Sequence, residues 1–517
     1  MPMRGLGRTS VVGPSVVLLL LAHGCGEAPG FLVEASLARD VPPQFLSVPV
    51  RPRSAQLLAD PNRFDVHPVV DGHYVWRPSL IKGTAAPTGA RLPTADTLDG
   101  EVAVAAPQVI PVSRDPAAYQ SETAAAANGA VLVAGSNSLQ YGPFPDNCVA
   151  EPCRARAYTS TDGTNYTTTI LPGTWNEVSF NLTFDPAIDF DTYGNFYFSM
   201  GALRLPADYP NSIAVSRAGP SGLGWAPPSA VTFNDSRYFD DKPWIAIDRS
   251  GSIYRDRIYV GWDRNHNNNQ ILYLSYSSNG GASWSPPIKV NDGKTGSERV
   301  FGAAPAVDHN NGTVYLGWLD YAANILYVDR STSGGQTWGT DVAAAPTHTR
   351  FGVVIPCVGG RSQGPAHHLQ VGPSGTLHLV YADSIADRGL DILYARSTDG
   401  GRSWSAPVRV NDDAGGGHQF HPMLSVTAGR GGDQVAVSFY DRRDDANNCL
   451  SHVYATTSAD GGRSWSPNVR LTTVASSFDG DSDGPGDYSS SAPFGRSTYP
   501  FFTDHSTADF DIYAAPF

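Results

Sequence analysis

The stretch RSTDGGRSWSAP, Arg396 to Pro407, decides the fold because it does not occur once. TSADGGRSWSPN (Thr457 to Asn468), RSTSGGQTWGT (Arg330 to Thr340) and YSSNGGASWSPP (Tyr276 to Pro287) repeat it, and STDGTNY (Ser160 to Tyr166) and SRAGPSGLGW (Ser216 to Trp225) are weaker copies. The steps between Trp225, Trp284, Trp338, Trp404 and Trp465 are 59, 54, 66 and 61 residues. A unit of about 60 residues repeated over most of a chain is the signature of propeller blades of four strands. Each copy reads as a hairpin: the Ser and Asp side chains accept from backbone N–H groups, the glycines permit positive φ, and the Trp packs into the sheet.

The flanks agree. Ahead of each strong copy lies an alternating strand (Ile271 to Tyr276, Ile325 to Arg330, Asp391 to Arg396, His452 to Thr457), and ahead of that a second one ending at Asp263, Asp320, Asp383 or Asp441. Earlier still comes a short apolar strand closed by a Gly turn, starting near Lys242, Ala304, His367 and His421. Period-two alternation broken by Gly, Asn, Asp and Pro is the strand-and-hairpin pattern. Two further units begin near Glu122 and Asp185, and the tail from Gly486 to Phe517 supplies three strands without a hairpin box. The expectation is an all-β β-propeller of four-stranded blades, seven blades over six, the ring closed by an N-terminal strand within Val102 to Val112.

Composition narrows the function. The 517 residues carry 36 Lys+Arg against 49 Asp+Glu, a net charge of −13, which excludes a basic nucleic-acid surface. Gly 53 and Pro 40, with only 16% charged residues, fit short strands and many turns and exclude long helices. Arg4 and Arg8 precede an apolar run from Val11 to Ala22, broken by Gly13, Pro14 and Ser15, that is too short for a membrane span and reads as an export signal over residues 1–25. Leu21 to Cys25 (LAHGC) resembles a bacterial lipoprotein box, which implies lipidation of Cys25, with plain secretion as the alternative; any membrane attachment is by lipid alone. Residues 26–100, rich in Ala and Pro, form a tether or small subdomain, and 101–517 the propeller. For an exported chain the remaining cysteines are expected to pair as Cys148–Cys153, in NCVAEPC, and Cys357–Cys449; no Cys/His spacing reads as a zinc site.

In a propeller the starts of the inner strands and the ends of the second strands share one face, with the box hairpins on the other. Aligning the inner strands puts Glu122, Asp185, Lys242, Ala304, His367, His421 and Asp487 around the channel mouth, with Asp241, His368, His418 and Tyr488 behind. The second-strand ends add Asp263, Arg264, Asp320, Asp383, Asp441, Arg442, Arg443, Asp504 and His505. Acids, histidines, a lysine and arginines converging on a concavity are the groups a polar ligand or acid–base chemistry requires. Asp479, Asp481 and Asp483, in DGDSDGPGDY, are spaced like the first half of a calcium loop, although Ser490 stands where an EF-hand needs Glu; a structural calcium ion is the one cofactor the sequence brings forward, and the chemistry requires none.

The repeated stretch resembles the Asp-box, S-x-D-x-G-x-x-W, of sialidases, other glycosidases and sortilin-like receptors, most closely at Asp399 and Asp460; Asn279 and Ser333 replace the acid in two copies. The resemblance implies a monomeric glycan-acting protein of exo-sialidase type. On it, Arg264, Arg442 and Arg443 grip a sugar carboxylate, Tyr488 with Glu122 is the nucleophile, and Asp185 or Asp241 is the acid. The chain lacks the family's early F/Y-R-I-P motif. Two alternatives stay open: a non-catalytic propeller that binds carbohydrate or protein, and a polysaccharide lyase using His367 or His421 as base with Lys242 or an arginine neutralising a uronate.

Overall fold

The structure, a computed structural model, describes residues 108–517 apart from 117, 142–145, 207–209, 235–236, 267–268, 294–298, 349–352, 359–361, 364–366, 386–387, 480–483 and 508. The export signal, Cys25, the tether and the calcium-loop residues Asp481 and Asp483 lie outside the described residues.

Seven antiparallel sheets, each with a path of four strands, form the blades of a propeller; in the sixth, Ser476–Ser477 pairs in addition with the third strand. Their inner strands are Ala118–Ala127, Leu182–Phe190, Phe239–Ile247, Val300–Asp308, His367–Val371, Gln419–Gly429 and Ser490–Phe494, numbered here as blades 1 to 7. Blades 1 to 6 each run from inside outward along the chain. Blade 7 contributes only Ser490–Phe494, Ser497–Asp504 and Asp511–Ala514, and its outer strand is Ile110–Pro111 from the other end of the propeller, with Ile110 opposite Ala514. Ser113 secures this closure: its Oγ donates to Asp511 Oδ1 (2.8 Å) and accepts from Ile512 N (2.7 Å). The expected seven blades and N-terminal closing strand are both present. The helix among the described residues is Asp146–Ala150.

The cores lie between blades, because each sheet buries both faces against its neighbours. Trp262, Val260 and Ile247 of blade 3 meet Ile213 and Val215 of blade 2, and Val380 and Tyr394 of blade 5 meet Leu424 and Phe439 of blade 6. The repeated hairpins feed these seams: Trp465 stands edge-on to Tyr394 at 5.0 Å, and Trp284 Nε1 donates to Ser229 Oγ (3.0 Å).

The hairpins have the hydrogen bonds their sequence calls for. Ser397 Oγ accepts from Gly401 N (2.9 Å), and Asp399 Oδ1 accepts from Arg402 N (3.0 Å) and Ser403 N (2.9 Å). Ser458 and Asp460 repeat the pattern. These donors, led by Ser403 Oγ on Asp399 and Ser464 Oγ on Asp460, hold both carboxyls well below the usual range. Where the acid is absent, Asn279 Oδ1 and Ser333 Oγ still accept from Ser283 N (3.0 Å) and Thr337 N (2.8 Å). Both expected disulfides are formed, with Cα–Cα separations of 5.0 Å for Cys148–Cys153 and 5.1 Å for Cys357–Cys449.

Candidate functional site

The inner strands do not run straight into the mouth. In five blades the pairing with the second strand slips near its start, between Ser121 and Ala124, Phe184 and Ala187, Asp241 and Trp244, Phe301 and Ala304, and Phe420 and Met423. At each slip one residue turns left-handed: Glu122 (φ 53°), Asp185 (54°), Lys242 (52°), Gly302 (76°) and His421 (48°). Four of the five are side-chain-bearing residues in a region such residues avoid, a backbone strain of the kind that clusters at functional sites. The bulged starts of blades 1, 2 and 3 bring the side chains of Glu122, Asp185 and Lys242 together.

Glu122, Asp185, Lys242 and His421 are thus at the ring positions the sequence alignment assigned. In blade 4 the ring place belongs to Gly302 and not Ala304, because Ala303 stands where blades 2, 3 and 6 have Pro186, Pro243 and Pro422, so that alignment on Pro305 slips by two residues. The bare glycine has a reason: a Cβ there would lie 2.9 Å from His367 Cε1. In blade 7 the inner strand is paired from Ser490 onward, and Asp487, three residues earlier, is the residue that reaches Lys242.

Side chains from four blades close into one knot. Lys242 Nζ of blade 3 lies 2.8 Å from Asp487 Oδ2, 3.0 Å from Asp185 Oδ1 and 3.4 Å from Glu122 Oε1. Lys242 N also donates to Asp185 Oδ2 (3.2 Å), and Asp487 N to Glu122 Oε1 (2.9 Å). Asn137 Nδ2 donates to Glu122 Oε2 (2.7 Å) while its Oδ1 accepts from Asp185 N (2.9 Å). The four charged side chains are 3 to 9% exposed. Burial pushes the Asp185 carboxyl well above its ordinary pKa; Lys242 opposes this, and Glu122 and Asp241 add to it. Burial thus favours the proton-bearing form of Asp185, against the pull of Lys242.

Asn137 was not among the residues anticipated from sequence. It occupies in blade 1 the register place of Asp263 in blade 3, since Gly135 pairs Ala124 as Gly261 pairs Trp244; aligning the second strands on those glycines would have found it.

Beneath the knot three rings from non-adjacent blades cross the channel. Trp244 of blade 3 lies 4.9 Å from His368 of blade 5 and 5.9 Å from Tyr488 of blade 7. Below them a cavity of about 530 Å³ follows the inner strands to Arg249, His309 and Asn310 at the hairpin end. Burial, aided by His367, drops the His368 pKa to about 3, so its ring is neutral. Tyr488 Oη donates to Pro186 O (3.1 Å), and burial, with Asp185 and Glu122, raises its pKa well above the ordinary value. That shift opposes ionisation, the reverse of what activating a tyrosine nucleophile needs.

The remaining predicted residues are separated from the knot or already engaged. His367 and His421 are buried in blades 5 and 6, His421 edge-on to Phe420 and Tyr440. Arg264 forms a two-pronged pair with Asp240, at 2.6 and 2.8 Å. Arg443 holds Asp441 (2.8 Å) and Asp412 (2.6 Å). Arg442 is fully buried; its Nη1 donates to Pro356 O (2.6 Å) and Asn448 O (2.7 Å), carbonyls beside the two ends of the Cys357–Cys449 bridge. Asp504 Oδ1 accepts from Ser506 N (2.7 Å), and Asp241 is buried at the bulge behind Lys242. Asp479 is exposed, and among the described residues no cluster of three His, Cys, Asp or Glu side chains is arranged to hold a metal.

No protein-family model matches the chain, and no curated protein matches it in sequence. Among solved structures it is similar to an ulvan lyase from a new polysaccharide lyase family (10% identity, 79% of this chain and 96% of that one, TM-score 0.47). It is also similar to the intramolecular trans-sialidase of Ruminococcus gnavus (13%, 80% and 97%, 0.42) and to the α-L-arabinanase of Penicillium chrysogenum (13%, 64% and 92%, 0.44).

Proposed function

We propose that the protein is an exported glycan-acting enzyme, a glycoside hydrolase whose chemistry lies at the mouth formed by the inner-strand starts. The observation that carries this is the knot: the Asp185 carboxyl, pushed toward its protonated form by burial, lies 3.0 Å from Lys242, which is ion-paired with Asp487 at 2.8 Å. A protonated and an ionised carboxyl kept apart by their surroundings are the two parts glycoside hydrolysis requires, an acid for the leaving oxygen and a carboxylate for the anomeric carbon or its attacking water. Asp185 is the acid on this reading, and Asp487, the more exposed of the pair, the carboxylate. Of the finer expectations, the Asp-box kinship agrees with the hairpin hydrogen bonds. Exo-sialidase chemistry would require Arg264, Arg442 and Arg443 to leave their present partners. Export with a lipid on Cys25, a calcium ion near Asp479 and a monomeric state complete the proposal.

A second reading, a propeller that binds glycans without turnover, is favoured by the low exposure of the knot, which suits a structural plug. The lyase form is less favoured, because Lys242 is already surrounded by the carboxyl groups of Glu122, Asp185 and Asp487 and a uronate would add a fourth.

The test is release of reducing sugar from a panel of aryl glycosides, sialosides and plant and bacterial polysaccharides by the purified full chain. Hydrolysis that falls by at least about 100-fold in Asp185→Asn and Asp487→Asn supports the assignment. Hydrolysis untouched by both substitutions, or none on any substrate from folded protein, removes it.

A further inference from the structure

The face opposite the mouth is built from the inner hairpin turns and the repeated box hairpins, and its charge is uneven around the ring. The boxes of blades 1, 5 and 6 carry Asp162, Asp399 and Asp460. Those of blades 2, 3 and 4 carry no acid: the blade 2 copy, SRAGPSGLGW, has none, and Asn279 and Ser333 stand in its place in the other two. Four further acids of that sector, Asp191, Asp248, Asp308 and Asp329, are buried, 0 to 5% exposed. The arginines reach the surface. Arg217 is exposed and lies over the Tyr197 ring at 5.8 Å. Arg257, half-buried, is bound to neutral oxygens, Ser278 Oγ (3.0 Å) and Gly334 O (2.8 Å). Arg255 is exposed, and Asp256, 3.8 Å from it, already accepts from Thr192 N (2.8 Å) and Thr192 Oγ1 (2.9 Å). Arg249 is neutralised by Asp189 at 2.5 Å. A chain of net charge −13 thus presents a cationic sector on this face.

The same sector carries the two most exposed large apolar side chains among the described residues, Ile253 (91%) and Tyr193 (75%), with Leu223 (43%) beyond them. Each stands in a separate turn, and the turns are braced against one another. Thr192 is bonded to Asp256 as above, and Asn128 Nδ2 donates to both Gly194 O and Pro220 O, each at 3.0 Å. The tips are therefore held out in water by a rigid frame, at a cost the fold itself does not recover. A protein interface buries a contiguous, close-packed apolar core. Separated apolar tips, one of them a tyrosine, set among arginines that adjoin them in sequence (Arg255 two residues after Ile253) match a bilayer surface instead, where the tips reach the boundary of headgroup and acyl chain and the guanidiniums meet lipid phosphates. Independently of the glycan reading, we infer that the hairpin face of blades 2 to 4 docks on an anionic phospholipid bilayer. Because this face lies at the far end of the inner strands, docking points the mouth away from the lipid.

The experiment is co-sedimentation of the full chain with vesicles of phosphatidylcholine alone and of equal parts phosphatidylcholine and phosphatidylglycerol. Three double variants are compared with the wild type: Tyr193→Ser with Ile253→Ser, Arg217→Gln with Arg255→Gln, and, as a control on the exposed outer strands of blades 5 and 6, Val408→Ser with Val469→Ser. All four proteins share residues 1–107, so the export signal contributes equally to each, and all the substituted side chains are exposed, so circular dichroism should show the same fold. The expected result is binding to the phosphatidylglycerol vesicles that weakens as salt is raised, falls at least about tenfold in each of the first two variants and is unchanged in the control. Absence of wild-type binding overturns the inference, as does equal binding to both kinds of vesicle. Binding that survives in the first two variants assigns the contact to another part of the chain and overturns it too. Preference for a soluble polyanion, dextran sulfate, with the tyrosine and isoleucine substitutions without effect, gives the arginines to a charged polymer and removes the membrane.

Discussion

Lys242 Nζ and Asp487 Oδ2 stand 2.8 Å apart although their residues are 245 positions apart in sequence and belong to blades 3 and 7. With Glu122 of blade 1 and Asp185 of blade 2, the pair ties the first three blades to the last, across the point where the N-terminal strand closes the ring. It is at once the best candidate for chemistry and a cross-brace of the fold, and substitutions there should separate the two roles.

Lys242→Met removes the cation of the knot and leaves three buried carboxyls facing one another. Breaking a buried pair by deleting one partner costs about 3 to 5 kcal/mol, so urea unfolding should show a loss of that size. Asp487→Asn keeps the geometry and a hydrogen-bonding side chain, and should cost no more than about 2 kcal/mol while removing activity. Equal losses in the two variants would mean that the lysine is not the hub.

Asp185 and the hairpin aspartates pull the pH dependence of stability in opposite directions. Because the folded pKa of Asp185 is raised, the native state binds more protons than the unfolded chain above the ordinary carboxyl range; its contribution is fully present below that range and is lost as pH rises through the folded value. Asp399 and Asp460 have lowered folded values, so their contribution is present above the ordinary range and is lost as pH falls. Asp185→Asn should flatten the alkaline side of the stability profile. Asp460→Asn should destabilise at neutral pH, with a difference from wild type that shrinks in acid. Guanidinium midpoints measured across pH read both slopes.

Two glycines at positive φ distinguish conformational from steric cost. At Gly129 (φ 91°) an added Cβ would meet no atom within 4 Å, so Gly129→Ala should cost about 1 kcal/mol for backbone conformation alone. Gly462 (φ 81°), in a repeated hairpin, faces the Tyr394 hydroxyl, and Gly462→Ala should cost clearly more because Tyr394 anchors the seam between blades 5 and 6. Thermal unfolding of the two variants gives the comparison.

The two disulfides should differ in weight. Cys357–Cys449 closes a span of 92 residues, and Cys148–Cys153 one of 5. By loop entropy the first contributes about 4.5 kcal/mol and the second about 2. Cys357→Ala with Cys449→Ala should lose the larger amount and also loosen Arg442, whose carbonyl acceptors flank that bridge. Stability measured for each double variant checks the order.

Much of the fold was legible because a propeller repeats. Ser397, Asp399, Gly401 and Trp404 make one hairpin from contacts within a dozen residues, so the same letters recur wherever the hairpin does, and counting them, weak copies included, counts blades 1 to 6. The closing strand could be anticipated by arithmetic, since a tail with three strands lacks one. The ring residues Glu122, Asp185, Lys242 and His421 were also within reach, because each begins an inner strand. Gly302 was not assigned to the ring from sequence, since Ala303 follows it where blades 2, 3 and 6 have a proline, and the next proline, Pro305, set the alignment two residues late.

What the sequence determined by itself is the local and repeated: strand, turn and hairpin, which follow from short-range patterns read many times over; it favoured seven blades over six and the two cysteine pairings, and the structure decided both. Only the tertiary structure decided which charges meet. Whether Lys242 faces a substrate or the carboxyl groups of Glu122, Asp185 and Asp487 depends on distances between blades far apart in the chain. At those distances burial and Coulomb interaction, neither of which is written in any one segment, set the charge of each group.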